Sequence, residues 1–210
     1  PIVWIDAIHY KIRQEGKVIS KACMIVLGIN TEGQQDILSM SIVETEKAAA
    51  WMSILDDLRS RGVKDIFFLC SDNLSGLDKA VEAIFPDSIR QICIVHQIRN
   101  SLEAFEVFKQ NWEEKYLSAV QSWEKNWDNL TTFLNYPKEI RKLIYTTNII
   151  ESFNASLRKY TRNKKVFPHD DAALKSIYLA AQSISKKWKK TRFKWGQIYN
   201  QLYICFPNRL

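Results

Sequence analysis

The 210 residues carry 30 Lys and Arg against 23 Asp and Glu, a net charge of +7, and 46% of them are hydrophobic. This is an ordinary balance for a soluble globular protein of one domain, or one domain with a lobe, long enough to bury a full core. It excludes a membrane span, because no run approaches the roughly 20 apolar residues one needs, and no charged-then-apolar leader marks secretion.

Four dispersed cysteines, Cys23, Cys70, Cys93 and Cys205, read as buried thiols in a reducing compartment rather than a disulfide framework. The chain enters directly into an apolar run at Pro1-Ile2-Val3-Trp4-Ile5, so an upstream domain is expected. Charge is unevenly spread: residues 1–137 hold 14 basic against 19 acidic residues, residues 138–210 hold 16 against 4. An acidic working half and a basic half suit a polyanionic partner; a solvated basic helix face is the plainer alternative.

In chain order, Ile2–Ile8, Val18–Ile29 and the stretch through Ile37, Leu38, Met40, Ile42 and Val43 predict three strands, the last two joined by a turn at Asn30-Thr31-Glu32-Gly33. A helix is predicted from near Glu46 to Gly62, with Ala49, Met52, Leu55 and Leu58 on one face. Asp65–Ser71 is an apolar run without alternation, as in a strand buried on both faces. A helix from about Leu74 to Phe85 and a fifth strand over Ser88–Val95 follow. Three strands, helix, strand, helix, strand describe a mixed α/β sheet that begins as an antiparallel meander.

From His96 onward the pattern is helical. Trp112, Tyr116, Trp123, Trp127, Leu130 and Leu134 keep a three-to-four spacing that reads as core, ending at Pro137. Helical sequence continues through Lys138–Tyr160, Asp170–Lys190 and Phe193–Phe206.

Three acids draw notice. Asp6 lies mid-strand in Val3-Trp4-Ile5-Asp6-Ala7-Ile8, where a buried charge costs several kcal/mol unless paired or bound to metal; an edge-strand aspartate facing water is the alternative. Asp72 ends the Asp65–Ser71 run, and the carboxyl ends of strands are where open α/β sheets build sites. It reads equally as a cap for the next helix. Glu151 follows Asn148 by three residues, a spacing that also makes a capping box. Two aspartates on strands and a glutamate on a later helix can converge on a pair of Mg²⁺ or Mn²⁺ ions, which prefer carboxylate oxygens and support in-line phosphoryl displacement.

Cys93 and His96 have the two-residue spacing of metal ligands, but a zinc site normally takes four and no second pair is visible in the sequence. A structural role, with His96 hydrogen-bonded beside the acids, is the better reading. His96, Arg99 and Asn100 can share one face of a helix starting there. The run Arg158-Lys159-Tyr160-Thr161-Arg162-Asn163-Lys164-Lys165 follows the Glu151 helix start, and Lys186, Lys187, Lys189, Lys190, Arg192 and Lys194 form a second basic cluster with Trp188 and Trp195 interleaved. Such residues grip phosphates without reading sequence.

Five stretches, in order and covering nearly the whole chain, resemble the mutator-type transposases of bacterial insertion sequences: VWIDAIHYKIR, FLCSDNLSGLDKAVEAIFP, RQICIVHQIRNSL, IYTTNIIESFNASLRKYTR and VFPHDDAALKSIYLA. The resemblance implies a ribonuclease-H-like mixed α/β sheet flanked by helices, and a DDE site in which Asp6, Asp72 and Glu151 match the three acids. It implies two Mg²⁺ or Mn²⁺ ions, with Cys93, His96, Arg99, Asn100 and Asn148 supporting the site. DNA strand cleavage and strand transfer at transposon ends follow as the expected activity. Terminal-repeat and target DNA, gripped by Arg158, Lys159, Arg162, Lys164 and Lys165, and further copies of the chain are the expected partners, in the bacterial cytoplasm.

Residues 1–102 correspond to the first part of the core, 103–137 to a helical insertion shortened by a few dozen residues, and 138–210 to the helical C-terminal part. The family's upstream DNA-binding region is not among these residues. A DNA-binding relic without activity, and a ribonuclease-H-like nuclease without strand transfer, are the competing readings.

Overall fold

The structure, a computed structural model, describes residues 1–44, 48–98, 114–145, 147–188, 191–192 and 194–209, with side chains from residue 121 onward in the helix that begins at Glu114. Two long strands, β1 (Ile2–Gln14) and β2 (Lys17–Ile29), form a hairpin. Its turn holds Glu15 at φ 49° and Gly16 at φ 78°, the pair of left-handed residues whose twist matches that of the flanking strands. β3 (Gln35–Val43) adds antiparallel to β2. After helix α1 (Ala48–Ser60), the short strands β4 (Phe68–Ser71) and β5 (Ile89–Ile92) extend the other side of β1 in parallel, with α2 (Leu77–Ile84) between them. The sheet order is β3-β2-β1-β4-β5. This is the expected α/β class, a ribonuclease-H-like mixed sheet with antiparallel strands on one side and parallel strands on the other.

Alternation along β1 and β4 assigns residues to two faces. Val3, Ile5 and Leu69 pack with Trp51, Leu55 and Leu58 of α1 and with Leu77 and Val81 of α2. Ile2, Trp4, Ile8, Phe68 and Cys70 face the opposite way, onto α4 (Lys138–Ile144), α5 (Asn148–Thr161), α6 (Asp170–Ser185) and α7 (Trp195–Cys205). The Trp4 indole N–H donates to the Leu143 carbonyl at 3.3 Å, pinning α4 over β1. Burying the charge-poor stripe Ile150, Phe153 and Leu157 fixes the rotation of α5 against the sheet. At roughly 1.5–3 kcal/mol for each such side chain, that burial outweighs any local preference of the helix surface.

Several sequence expectations differ from the structure. The first strand runs to Gln14 rather than Ile8, because its antiparallel pairing with β2 continues to Gln14↔Lys17, and β4 begins at Phe68 rather than Asp65. The fifth strand stops at Ile92, not Val95, because the Cys93 N–H turns back to the Ser71 carbonyl at 2.9 Å and residues 94–98 continue as helix. The helical stretch over Lys138–Tyr160 forms two helices, broken between Ile144 and Asn148, where the capping spacing at Asn148 and Glu151 in the sequence points to a helix start. The aromatic stripe is not the inward face of α3 (Glu114–Thr131): Trp127 is 55% and Leu134 52% exposed, while Leu130 is buried. The side turned inward carries Asn126 and Leu130, and the Gln91 amide donates to the Leu130 carbonyl at 3.0 Å. Trp112 and the Tyr116 side chain lie outside the described residues.

Candidate active site

The parallel register Ile5↔Ser71 is the last pair of the β1–β4 ladder, and Asp6 and Asp72 are the next residue on each strand. Neighbouring strands run about 4.8 Å apart and paired residues point to the same face. Both aspartates continue the series Trp4 and Cys70, so they face α5 rather than α1 and α2. The carboxyl end of the sheet thereby sets two acids side by side beneath the helix that carries the third.

Asp6 is held from two directions. Its Oδ1 accepts from the Ala7 N–H at 2.8 Å, and its Oδ2 accepts from the Asn154 side-chain amide at 2.5 Å. Burial, followed by repulsion from Asp72, pushes the Asp6 carboxyl up to about 6 despite those hydrogen bonds. The sheet therefore holds a carboxylate at a position that disfavours its charge unless positive charge is brought to it.

His96 joins the other two acids. Its Nδ1 lies 2.6 Å from Asp72 Oδ1 and its Nε2 2.9 Å from Glu151 Oε1. Hydrogen bonding with Asp72, then with Cys93, raises the imidazole to about 10 against the opposing effect of burial, a shift that favours the protonated ring between the two carboxylates. The contact with Asp72 is short but not well directed, since the buried Asp72 Oδ1 has no aligned donor among the described residues. Thr147 Oγ1 lies 3.3 Å from His96 Nδ1. Burial works against ionisation of Cys93, but hydrogen bonding with His96 and Thr147 outweighs it and holds the thiol below its usual range.

The helix-cap explanations for Asp72 and Glu151 do not hold. The residue preceding α2 is Gly76, four positions beyond Asp72, and no side chain caps that helix. Thr147 precedes α5 without a side-chain cap, Asn148 is already the first residue of that helix, and Glu151 Oε1 lies 2.9 Å from His96 Nε2.

Asp6, Asp72, Glu151, Cys93 and His96 thus form one cluster. Arg99 and Asn100 lie outside the described residues. Asn148 is exposed on the first turn of α5, three residues before Glu151. Arg158, Lys159, Arg162, Lys164 and Lys165 are all exposed, on and just beyond the far end of α5. Lys164 donates to Ser176 Oγ at 3.0 Å, which ties that end to α6.

Sequence reasoning did not single out Asn154 or Thr147. Asn154 is 1% exposed, and an asparagine buried in the middle of a helix is disfavoured unless it bonds something specific. That signal was available in Ile150-Glu151-Ser152-Phe153-Asn154. Thr147 carried none, being one of many threonines before a helix.

These are the marks of a ribonuclease-H-like protein with an acid-centred site at the carboxyl end of its parallel strands. The family profile "Transposase, Mutator family" matches residues 1–106 and 102–191, and the chain belongs to that family. It is 35% identical to the transposase for insertion sequence element ISRM3 of Rhizobium meliloti, across 100% of this chain and 60% of that protein. A probable insertion-sequence transposase of Corynebacterium diphtheriae is 35% identical, with 100% and 75% covered. The IS905 transposase of Lactococcus lactis is 30% identical, with 98% and 59% covered. The chain therefore spans about 60% of the length of the ISRM3 relative, and the aligned stretch there runs over 238 residues against 210 here. No helix among the described residues is long and apolar enough to cross a membrane.

Proposed function

We propose that this chain is the catalytic core of a DDE transposase, in which Asp6, Asp72 and Glu151 hold two Mg²⁺ or Mn²⁺ ions for cleavage and transfer of DNA strands at the ends of an insertion sequence. The observation that carries the reading is the meeting of Asp72 and Glu151 on the two nitrogens of His96, with Asp6 beside Asp72 at the end of the β1–β4 ladder. Carboxylate oxygens are the donors hard divalent ions prefer, and two carboxylates side by side, Asp6 being the one of raised pKa, fit a cation there. When bound, such ions activate a water or 3′-hydroxyl and neutralise the leaving oxygen.

The remaining work falls to the protein. Asn154 and the Ala7 N–H fix the orientation of Asp6, while His96 holds Asp72 and Glu151 at the spacing of one imidazole. Arg158, Lys159, Arg162, Lys164 and Lys165 would bind the DNA backbone leading away from the site, supplying affinity without sequence readout. Terminal-repeat and target DNA, and further copies of this chain, are the partners in this reading, with the bacterial cytoplasm as its place.

The shorter aligned stretch relative to the ISRM3 transposase favours a second reading, a relic that binds DNA without cutting it. One assay separates the two. The protein is incubated with DNA bearing its element's terminal repeats, with Mg²⁺, Mn²⁺ or chelator. Metal-dependent nicking and strand transfer that Asp6→Ala abolishes, with DNA binding retained, supports the transposase. DNA binding without any metal-dependent product supports the relic, and loss of both in Asp6→Ala assigns Asp6 to folding.

A further inference from the structure

The sequence offers only Cys93 and His96 as a soft-metal pair, but the fold brings a third ligand to them. One Asp72 carboxylate oxygen, the Cys93 thiol and a His96 ring nitrogen all lie within 4.8 Å of one another. We propose that Asp72, Cys93 and His96 form a binding site for a thiophilic divalent ion such as Zn²⁺, and that its occupation takes Asp72 away from the catalytic ions. The exclusion rests on the metal reading of the three acids given above; the site itself does not.

Four observations support the assignment. Zinc bonds of about 2.0–2.3 Å set neighbouring ligands about 3.3–3.8 Å apart, so side-chain movements on the order of 1 Å close the observed cluster around an ion. The backbone beneath is fixed: the Cys93 N–H is bonded to the Ser71 carbonyl at 2.9 Å, and the Gln97 N–H to the Cys93 carbonyl at 3.1 Å, which puts His96 one helical turn from Cys93. His96 Nε2 is engaged with Glu151 at 2.9 Å, while Nδ1 faces Asp72 Oδ1 at 2.6 Å and Thr147 Oγ1 at 3.3 Å; an ion entering between Nδ1 and Asp72 would replace that contact and complete a carboxylate–histidine–metal arrangement through Glu151. The buried Asp72 Oδ1 has no aligned hydrogen-bond donor among the described residues, and the group it does approach, at 2.6 Å, is His96 Nδ1, a ligand of the same proposed ion.

Chemistry separates this site from the catalytic one. Thiolate and imidazole select Zn²⁺ and its neighbours, whereas Mg²⁺ prefers an all-oxygen set. Asp72 belongs to both and cannot serve both at once. Binding replaces the protons on Cys93 Sγ and His96 Nδ1, which leave to solvent.

Cobalt(II) titration of the full chain tests the site. One equivalent should produce a near-ultraviolet thiolate-to-cobalt charge-transfer band with visible bands of four-coordinate geometry, erased by one equivalent of Zn²⁺. Cys93→Ser should remove the charge-transfer band, and Cys205→Ser should leave it. No band, or one that survives Cys93→Ser, overturns the site. X-ray absorption of the zinc-loaded unmutated chain decides the matter even where a variant misfolds. A sulfur at about 2.3 Å beside nitrogen or oxygen at about 2.0 Å is expected, and a shell of nitrogen and oxygen alone overturns it.

Electron paramagnetic resonance of bound Mn²⁺ tests the exclusion: one equivalent of Zn²⁺ should release it, and Mn²⁺ that stays bound refutes the exclusion. Absence of Mn²⁺ binding under any condition removes the exclusion with the catalytic-metal reading, while the cobalt band still decides the soft site.

Discussion

Replacing Asp6 by asparagine should make the metal-free protein more stable while disabling it. The carboxyl is raised from 3.8 to about 6, chiefly by burial and then by Asp72. At 1.36 kcal/mol per unit, ionising Asp6 in the folded chain costs up to about 3 kcal/mol, and about 2 kcal/mol after allowing for partial solvation. The folded pKa lies above the unfolded one. The native state therefore binds more protons between about pH 4 and pH 6, and wild-type stability falls as pH rises through that window, then levels off.

Asparagine mimics the neutral acid at every pH. A flip of the Asn154 amide would turn its buried Oδ1, which has no bonded partner among the described residues, toward the new donor. Asp6→Asn should melt about 5 °C above wild type at pH 7.5 in chelator, taking 2–4 °C per kcal/mol for a domain of this size. The gap should close near pH 4. Added Mn²⁺ should then raise the wild-type midpoint and leave the variant unmoved, since only a folded state that binds the ion gains from it. Thermal melts followed by circular dichroism across pH 4–8 measure all of this. A variant that melts below wild type with a gap independent of pH refutes the electrostatic account of Asp6.

Neutralising Arg158, Lys159 and Lys165 together should lower the slope of log affinity against log salt by up to about 2.7, three phosphate contacts at about 0.9 each; an unchanged slope makes them a solvated surface. Asn154→Ala removes the donor that orients Asp6 Oδ2, and should weaken Mn²⁺ binding by about 10- to 100-fold, as loss of such an orienting partner does. Calorimetric titration with Mn²⁺ checks this, and unaltered affinity in a folded variant assigns Asn154 to packing alone.

Much of the fold is written locally in this sequence. β2, β3 and the first half of β1 declare themselves through apolar, β-branched runs near glycine turns, and the helical C-terminal part through its apolar spacing; the continuation of β1 from His9 to Gln14 is mostly polar and is set by its pairing with Lys17–Ala22. Asp6 stands out for the same reason, as a charge interrupting Val3-Trp4-Ile5 and Ala7-Ile8. Asp72 and Glu151 do not, because an aspartate ahead of a helix reads equally as its cap and a glutamate three residues after Asn148 reads as half of a capping box; only the start of α2 at Leu77 and of α5 at Asn148 separates the roles. Spacing also fails to say which stripe of α3 is inward. The aromatic residues fit a helical face, yet Trp127 is exposed and Asn126 and Leu130 take the protein side, where the Leu130 carbonyl accepts from the Gln91 amide. The joining of Asp72 to Cys93 and His96 is a tertiary fact. It depends on β4 lying beside β5 and on one backbone bond between Cys93 and Ser71.

The central claim is that Asp6, Asp72 and Glu151 are ligands of divalent metal. Anomalous diffraction from crystals soaked in Mn²⁺ addresses it most directly. The account predicts a manganese peak about 2.0–2.3 Å from carboxylate oxygens of both Asp6 and Asp72, absent in Asp6→Asn. Crystals that bind no manganese between those two carboxylates, with His96 still spanning Asp72 and Glu151, would contradict it.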